Sequence, residues 1–310
     1  MKKNPQFAVL FLSISFLTLG SVQLAQASCQ TPIDHPVSLQ LQELQLLSTK
    51  NWPAWAQTKS VLKIYQPNNS NSKVQVIVVP PTGGENFLDR HMAEKLCDVG
   101  LRTLILTYDT VYPTLTRNLK IHDLSAEEFL AQLELTLREY PHPTVLVGAS
   151  LGGLFSSIAF GIASNNGLTN SYPLAFKPTA IVSQLNGAVL TVAGGSLSQI
   201  LTDSLIPNAV LQRIDRLIAD PMSLDQYQAQ LSKSILLDTL KLTNPQRNTR
   251  ILFFEGTLDG IVPTSTQEQL WQAWGRPERI SYLLGHPETI FYVYEFEVDT
   301  IRDFILHLSF

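Results

Sequence analysis

Residues Thr144–Leu154 read T-V-L-V-G-A-S-L-G-G-L, and the fold turns on them. Thr144–Val147 is a short apolar, β-branched run of the kind that forms a buried strand. Gly148-Ala149-Ser150-Leu151-Gly152 follows directly, and beyond Gly153 the apolar spacing becomes helical. A G-x-S-x-G pattern set between a strand and a helix carries a mechanism that the bare pattern lacks. The serine of such a turn sits in a strained backbone conformation, with its hydroxyl lifted above the sheet edge. Side chains at Gly148 and Gly152 would collide with the neighbouring strand and helix, so both positions want glycine. The helix N-terminus beneath Ser150 favours developing negative charge.

The segment VLVGASLGG resembles the nucleophile elbow of the α/β-hydrolase family. The resemblance runs from about Val61 to the C-terminus. It implies an α/β fold with a mostly parallel central sheet flanked by helices, and a triad in the chain order Ser, Asp or Glu, His. Asp109 precedes Ser150, so that order argues against it as the acid. After the strand Ile251–Phe254, residues Glu255–Pro263 read E-G-T-L-D-G-I-V-P. The family places its acid in this loop, as G-x-x-D before an apolar pair and proline, and Asp259 occupies that place. It would accept the histidine N–H, fix the tautomer and stabilise the imidazolium, with Glu255 as the fallback acid. The last strand, Arg279–Leu284, runs into Gly285-His286-Pro287. His286 would take the Ser150 proton and return it to the leaving group.

The resemblance also implies an oxyanion hole made of two backbone donors. One is the Leu151 N–H; the other lies after the strand Val74–Val79, around Thr82 and Gly83. Many relatives carry His-Gly where this chain has Thr82-Gly83, which leaves the donor in that loop open.

The bulk numbers fit one large α/β domain. The chain has 310 residues, of which 45% are hydrophobic and 15% charged, so it can bury a sizeable core. A formal charge of -4 is too mild and of the wrong sign for a nucleic-acid surface. Met1-Lys2-Lys3, the apolar run Phe7–Leu19 and Ala25-Gln26-Ala27 together read as a signal peptide over residues 1–27, with the hydrolase-like domain over 28–310. An uncleaved anchor is the rival, but the run spans only about 20 Å as a helix. Lipid attachment at Cys29 is a weaker rival, because Gln26 stands where lipoproteins carry a Leu-like residue. Cys29 and Cys97 are an even count in an exported chain and suggest a disulfide, against two unpaired thiols.

Four further segments bear on the fold. Pro36–Lys50 reads equally as strand or helix, and Trp52-Pro53-Ala54-Trp55 as an aromatic loop. Leu124–Tyr140 reads as an amphipathic helix capped by Ser125, and Ala180–Gln184 as a buried strand. Ala188–Gln246 is far longer than an ordinary connection and is broken at Pro207, Pro221 and Pro245. It reads as a helical lid at 188–246, or alternatively as core helices.

The resulting expectation is an exported serine hydrolase that cleaves carboxylic or lipid esters through Ser150, Asp259 and His286. It needs no metal and no organic cofactor, and it has no nucleic-acid partner. The lid allows transient contact with a membrane surface, and the oligomeric state stays open. A peptidase, thioesterase or acyltransferase would use the same triad, and an inactive hydrolase-fold binding protein is the alternative from another class.

Overall fold

The computed structural model of the protein describes residues 29–36, 61–68, 72–82, 84–108, 120–169 and 172–308. The candidate signal peptide, the Trp52–Trp55 loop, Val37–Lys50, Gly83 and Asp109 lie outside the described residues.

Eight strands form one sheet: β1 (Ile33–Pro36), β2 (Val61–Tyr65), β3 (Gln75–Val79), β4 (Arg102–Leu106), β5 (Thr144–Ala149), β6 (Leu185–Thr191), β7 (Ile251–Gly256) and β8 (Glu278–Tyr282). Their order is β1-β2-β4-β3-β5-β6-β7-β8. β2 is antiparallel to both of its neighbours, and every pair from β4 to β8 is parallel. Every residue of β3 and β5 is buried, which explains their unbroken apolar runs, since helices cover both faces. The sheet and its flanking helices match the fold class expected from the sequence.

The helices divide between the two faces. α1 (Phe87–Asp98) packs on one face, α2 (Lys120–Glu139) and α3 (Leu151–Ser164) on the other. On the second face Phe129 and Phe155 stack with ring centroids 5.4 Å apart. After a short α4 (Thr179–Gln184) and β6, the chain makes α5 (Leu197–Asp203), α6 (Pro207–Ala219) and α7 (Leu224–Ser234) before it returns as β7. Pro207 stands at the start of α6, where its missing N–H costs nothing. α8 (Thr264–Ala273), α9 (His286–Phe296) and α10 (Val298–His307) complete the domain. α9 and α10 pack with α1 on the first face. Among the described residues no helix is long and apolar enough to cross a membrane.

Four sequence expectations need correction. Ala180–Gln184 is helix, not strand, and the adjoining strand is β6. The cause is remote: the buried Glu134 carboxylate on α2 accepts the N–H groups of Ala180 at 3.0 Å and Ile181 at 2.9 Å. These are donors that the first turn of a helix leaves unpaired, so a carboxylate 46 residues upstream caps a segment that its own side chains would extend. The insertion therefore starts after Thr191 rather than at Ala188, because 188–191 belong to a central strand. Ser125 is not an N-cap, since α2 begins at Lys120 and buries Ser125 within it. His286, expected in the loop between the last strand and a terminal helix Glu297–Leu308, instead opens α9, a further helix between the two.

Cys29 and Cys97 are disulfide-bonded, with Cα atoms 5.6 Å apart. The bond fastens the segment before β1 to the last turn of α1.

Candidate active site

Ser150 stands between β5 and α3 with φ 55° and ψ -120°. A non-glycine residue at positive φ is strained by about 1–3 kcal/mol and persists only where its surroundings over-determine it. Here they do. A Cβ on Gly152 would lie 2.0 Å from the Val79 carbonyl oxygen and 2.5 Å from that of Pro80. One on Gly148 would lie 2.4 Å from the Gly152 carbonyl oxygen. Only glycine lets β3, the turn and α3 approach this closely. The Ser150 N–H donates to Thr191 O at 2.9 Å, which ties the turn to the end of β6. Its own side chain makes no capping bond to α3.

Strain recurs one strand over. Val192 has φ 44°, an outlier for a β-branched residue, and its N–H donates to Phe254 O of β7 at 2.8 Å. This bend swings the chain out of β6 into Gly194, beside the pocket that holds Ser150. Nothing in the sequence signals it.

Asp259 and His286 come together. His286 Nδ1 lies 2.6 Å from Asp259 Oδ2, and both side chains are buried. The other Asp259 oxygen accepts the N–H groups of Ile261 at 2.8 Å and Val262 at 2.9 Å. Gln267 Nε2, on α8, donates to Asp259 Oδ2 at 3.1 Å and to Val262 O at 2.8 Å. The carboxylate thus holds four donors and cannot rotate without breaking several bonds. With Nδ1–H directed at Asp259, the histidine presents the lone pair of Nε2 on its other side. Gln267 was missed by the sequence reading; its one signal is a polar residue on the inward side of the helix that follows the acid loop. Glu255, the fallback acid, is otherwise engaged: it accepts from Ser281 Oγ at 2.7 Å and lies 3.6 Å from Arg279.

Ser150, Asp259 and His286 follow β5, β7 and β8, three mutually parallel strands, so all three gather at one sheet edge. Among the described residues no hydrogen bond joins Ser150 to His286; such bonds are often long before substrate arrives. Leu151 opens α3, so its N–H is free of intrahelical bonding and stands at the positive end of the helix dipole. Thr82 and Leu151 border the same pocket as Ser150, together with Leu154, Leu197, Ile200 and Leu201. Tyr108 fixes the start of the Thr82 loop, donating to Pro80 O at 2.7 Å. At the loop's other end Glu85 takes Lys63 at 2.5 Å and Arg90 at 3.1 Å, and Asp89 Oδ2 accepts the Asn86 N–H at 2.9 Å. Among the described residues no group of three or more His, Cys, Asp and Glu side chains is arranged to hold a metal ion.

No family model matches the chain, and no curated protein matches its sequence. Solved structures do match its shape. A lipase/esterase from Lactobacillus plantarum aligns at 14% identity with a TM-score of 0.53, over 88% of this chain and 99% of its own. Acetyl xylan esterase 1 from a Thermoanaerobacterium species aligns at 13% identity and TM-score 0.54, over 81% of this chain and 80% of its own. An acylaminoacyl peptidase from Pyrococcus horikoshii aligns at 12% identity and TM-score 0.55, over 90% of this chain and 41% of its own. At these identities the likeness speaks for architecture: the chain has the α/β-hydrolase fold.

Proposed function

We propose that the protein is a serine hydrolase of carboxylic esters, with Ser150 as nucleophile, His286 as general base and then acid, and Asp259 as the residue that orients the histidine. The buried His286–Asp259 pair, set at the sheet edge that carries strained Ser150, is the observation that carries this reading. Two of the matching structures are described as esterases, which favours an ester over another acyl compound.

In the first half-reaction Ser150 Oγ bonds to the ester carbonyl carbon while His286 Nε2 takes its proton. The carbonyl oxygen becomes an oxyanion, which the Leu151 N–H and a donor of the Thr82–Gly83 loop stabilise. The bond from that carbon to the alkoxy oxygen breaks, and His286 gives its proton to the departing alcohol. Water then adds to the acyl carbon with His286 as base, and the carboxylic acid leaves as Ser150 regains its proton. Neither step calls on a metal or organic cofactor.

The proposal extends to export after cleavage behind Ala27, and to the insertion between β6 and β7 as a roof over the site. Leu205 at the head of α6 ties that roof to the acid loop through its N–H, 2.8 Å from Gly260 O. The outward face of α6, with Leu211, Ile214 and Ile218 exposed, suits brief contact with a lipid surface.

A second reading, an inactive scaffold that only binds, is favoured by the missing Ser150–His286 hydrogen bond. One experiment separates the two. The purified protein and its Ser150→Ala variant are treated with a fluorophosphonate and weighed intact. A single adduct on the wild type and none on the variant supports the hydrolase. A folded wild type that stays unlabelled, with and without detergent, supports the binding protein.

A further inference from the structure

We infer that the site takes esters with a short acyl group, about two to four carbons long, and that Ile200 and Leu201 of α5 set the limit. The inference rests on the serine-hydrolase reading and deepens it.

The pocket at Ser150 has a volume of about 80 Å³. Leu154 of α3, Leu197, Ile200 and Leu201 of α5, Ile206 at the head of α6, and Val262 beyond Asp259 give it aliphatic walls. Its polar contributors are Ser150 and Thr82, so it suits a hydrocarbon tail whose carbonyl lies at the serine.

The geometry also says which half of the ester enters. The departing alcohol must sit beside His286, which protonates it. His286 does not border this pocket, whereas Ser150 and the two expected oxyanion segments, Leu151 and Thr82, do. The chain that fits there is attached to the carbonyl carbon and remains on the enzyme, so it is the acyl group.

Volume then sets length. An apolar cavity of about 150 Å³ takes up benzene with its six carbons, so roughly half that space holds about three. A longer chain must leave these aliphatic walls, which are close-packed around Gly194. A Cβ on Gly194 would lie 2.6 Å from Ile200 Cδ1, 2.7 Å from Thr266 Oγ1 and 2.8 Å from Val262 Cγ1, so no side chain fits between them at that glycine. Ile200 is buried and Leu201 half-buried, both on one short helix.

The test compares kcat/KM for p-nitrophenyl acetate, butyrate and octanoate in the wild type, Ile200→Ala and Leu201→Ala, each titrated with fluorophosphonate. The wild type is expected to favour acetate or butyrate over octanoate by at least about 10-fold. In either variant that ratio moves about 10-fold towards octanoate. Leu201, being half-buried, is the truncation that the fold tolerates best. A wild type that prefers octanoate, or a chain-length profile unchanged in both variants, overturns the inference while labelled Ser150 still stands. Absence of labelling and of hydrolysis removes the hydrolase reading, and the acyl limit with it.

Discussion

The Tyr108 hydroxyl donates a 2.7 Å hydrogen bond to the Pro80 carbonyl, the same carbonyl that lies 2.5 Å from where a Cβ on Gly152 would stand. One oxygen thus joins the loop proposed to supply an oxyanion donor to the turn that carries Ser150. Tyr108→Phe keeps the ring contacts with Phe129 and Phe155, whose centroids lie 5.4 and 5.1 Å away, and removes the hydroxyl that makes this bond. A buried carbonyl left unpaired costs about 1–3 kcal/mol. The expected result on a short-chain ester is a kcat lowered about 10- to 100-fold, as for a donor shifted by a fraction of an ångström, with KM nearly unchanged. Separate kcat and KM values, with a melting curve, check this; an unchanged kcat means the loop holds its place without Tyr108.

Asp259→Asn keeps the size of the side chain and spoils its acceptor count. All four groups around Asp259 are donors, so an amide nitrogen meets another donor whichever way it turns. His286 then loses the acceptor that fixes Nδ1–H, and the other tautomer hides its lone pair from Ser150. A fall of about 10⁴-fold in kcat is expected, from the effect of the same change in serine-protease triads. Steady-state kinetics on a variant with wild-type circular dichroism is the measurement.

Asp89 makes stability depend on pH. Its carboxyl is pushed up to about 7 from 3.8, mainly by burial and further by Glu85, against the Asn86 N–H and Arg90. Between these values the unfolded chain releases a proton that the folded one keeps, so stability falls as pH rises from about 4 to about 7 and is then flat. The slope reaches about 1.4 kcal/mol per pH unit at most. Asp238, raised to about 6 by burial, adds a slope of the same sign, and His122, lowered by burial, one of the opposite sign. Both remain in Asp89→Asn, so urea unfolding of variant and wild type at pH 4, 6 and 8 isolates Asp89. The variant's relative stability should rise across that range.

The Cys29–Cys97 bond closes a loop with a sequence separation of 68. The chain-entropy relation gives about 4 kcal/mol for a loop of that length. Melting of the wild type with and without dithiothreitol, beside Cys29→Ser/Cys97→Ser, should show matching losses in the reduced wild type and in the cysteine-free variant, which dithiothreitol leaves unchanged.

What the sequence made legible was local. Gly148, Ser150 and Gly152 sit within five residues, and their reading depends on sterics that a strand–turn–helix imposes anywhere. Asp259 and His286 were singled out by the order that the family resemblance implies, and the sheet topology brings the two side chains together. Two misreadings, at Ser125 and His286, are errors in where a helix starts, and the rest are long-range. Glu134 turns Ala180–Gln184 into helix from 46 residues away, and no property of Ala-Ile-Val-Ser-Gln announces it. Gln267 and Tyr108 look like ordinary helix and loop residues until folding sets them against Asp259 and Pro80. The positive φ of Val192 comes with a bond from its N–H to Phe254 O, across to β7.

The strain at Ser150 is borne by what surrounds it. Two glycines, the Val79 and Pro80 carbonyls and a bond to Thr191 hold the backbone, while the hydroxyl contributes no cap. The seat is therefore independent of its occupant. A thiol or a bare hydrogen in place of the hydroxyl would find the same backbone waiting, and Ser150→Gly would even release torsional tension. Invention at this position is cheap for the scaffold: the reactive atom can be exchanged by a single codon while the architecture that aims it stays as it was.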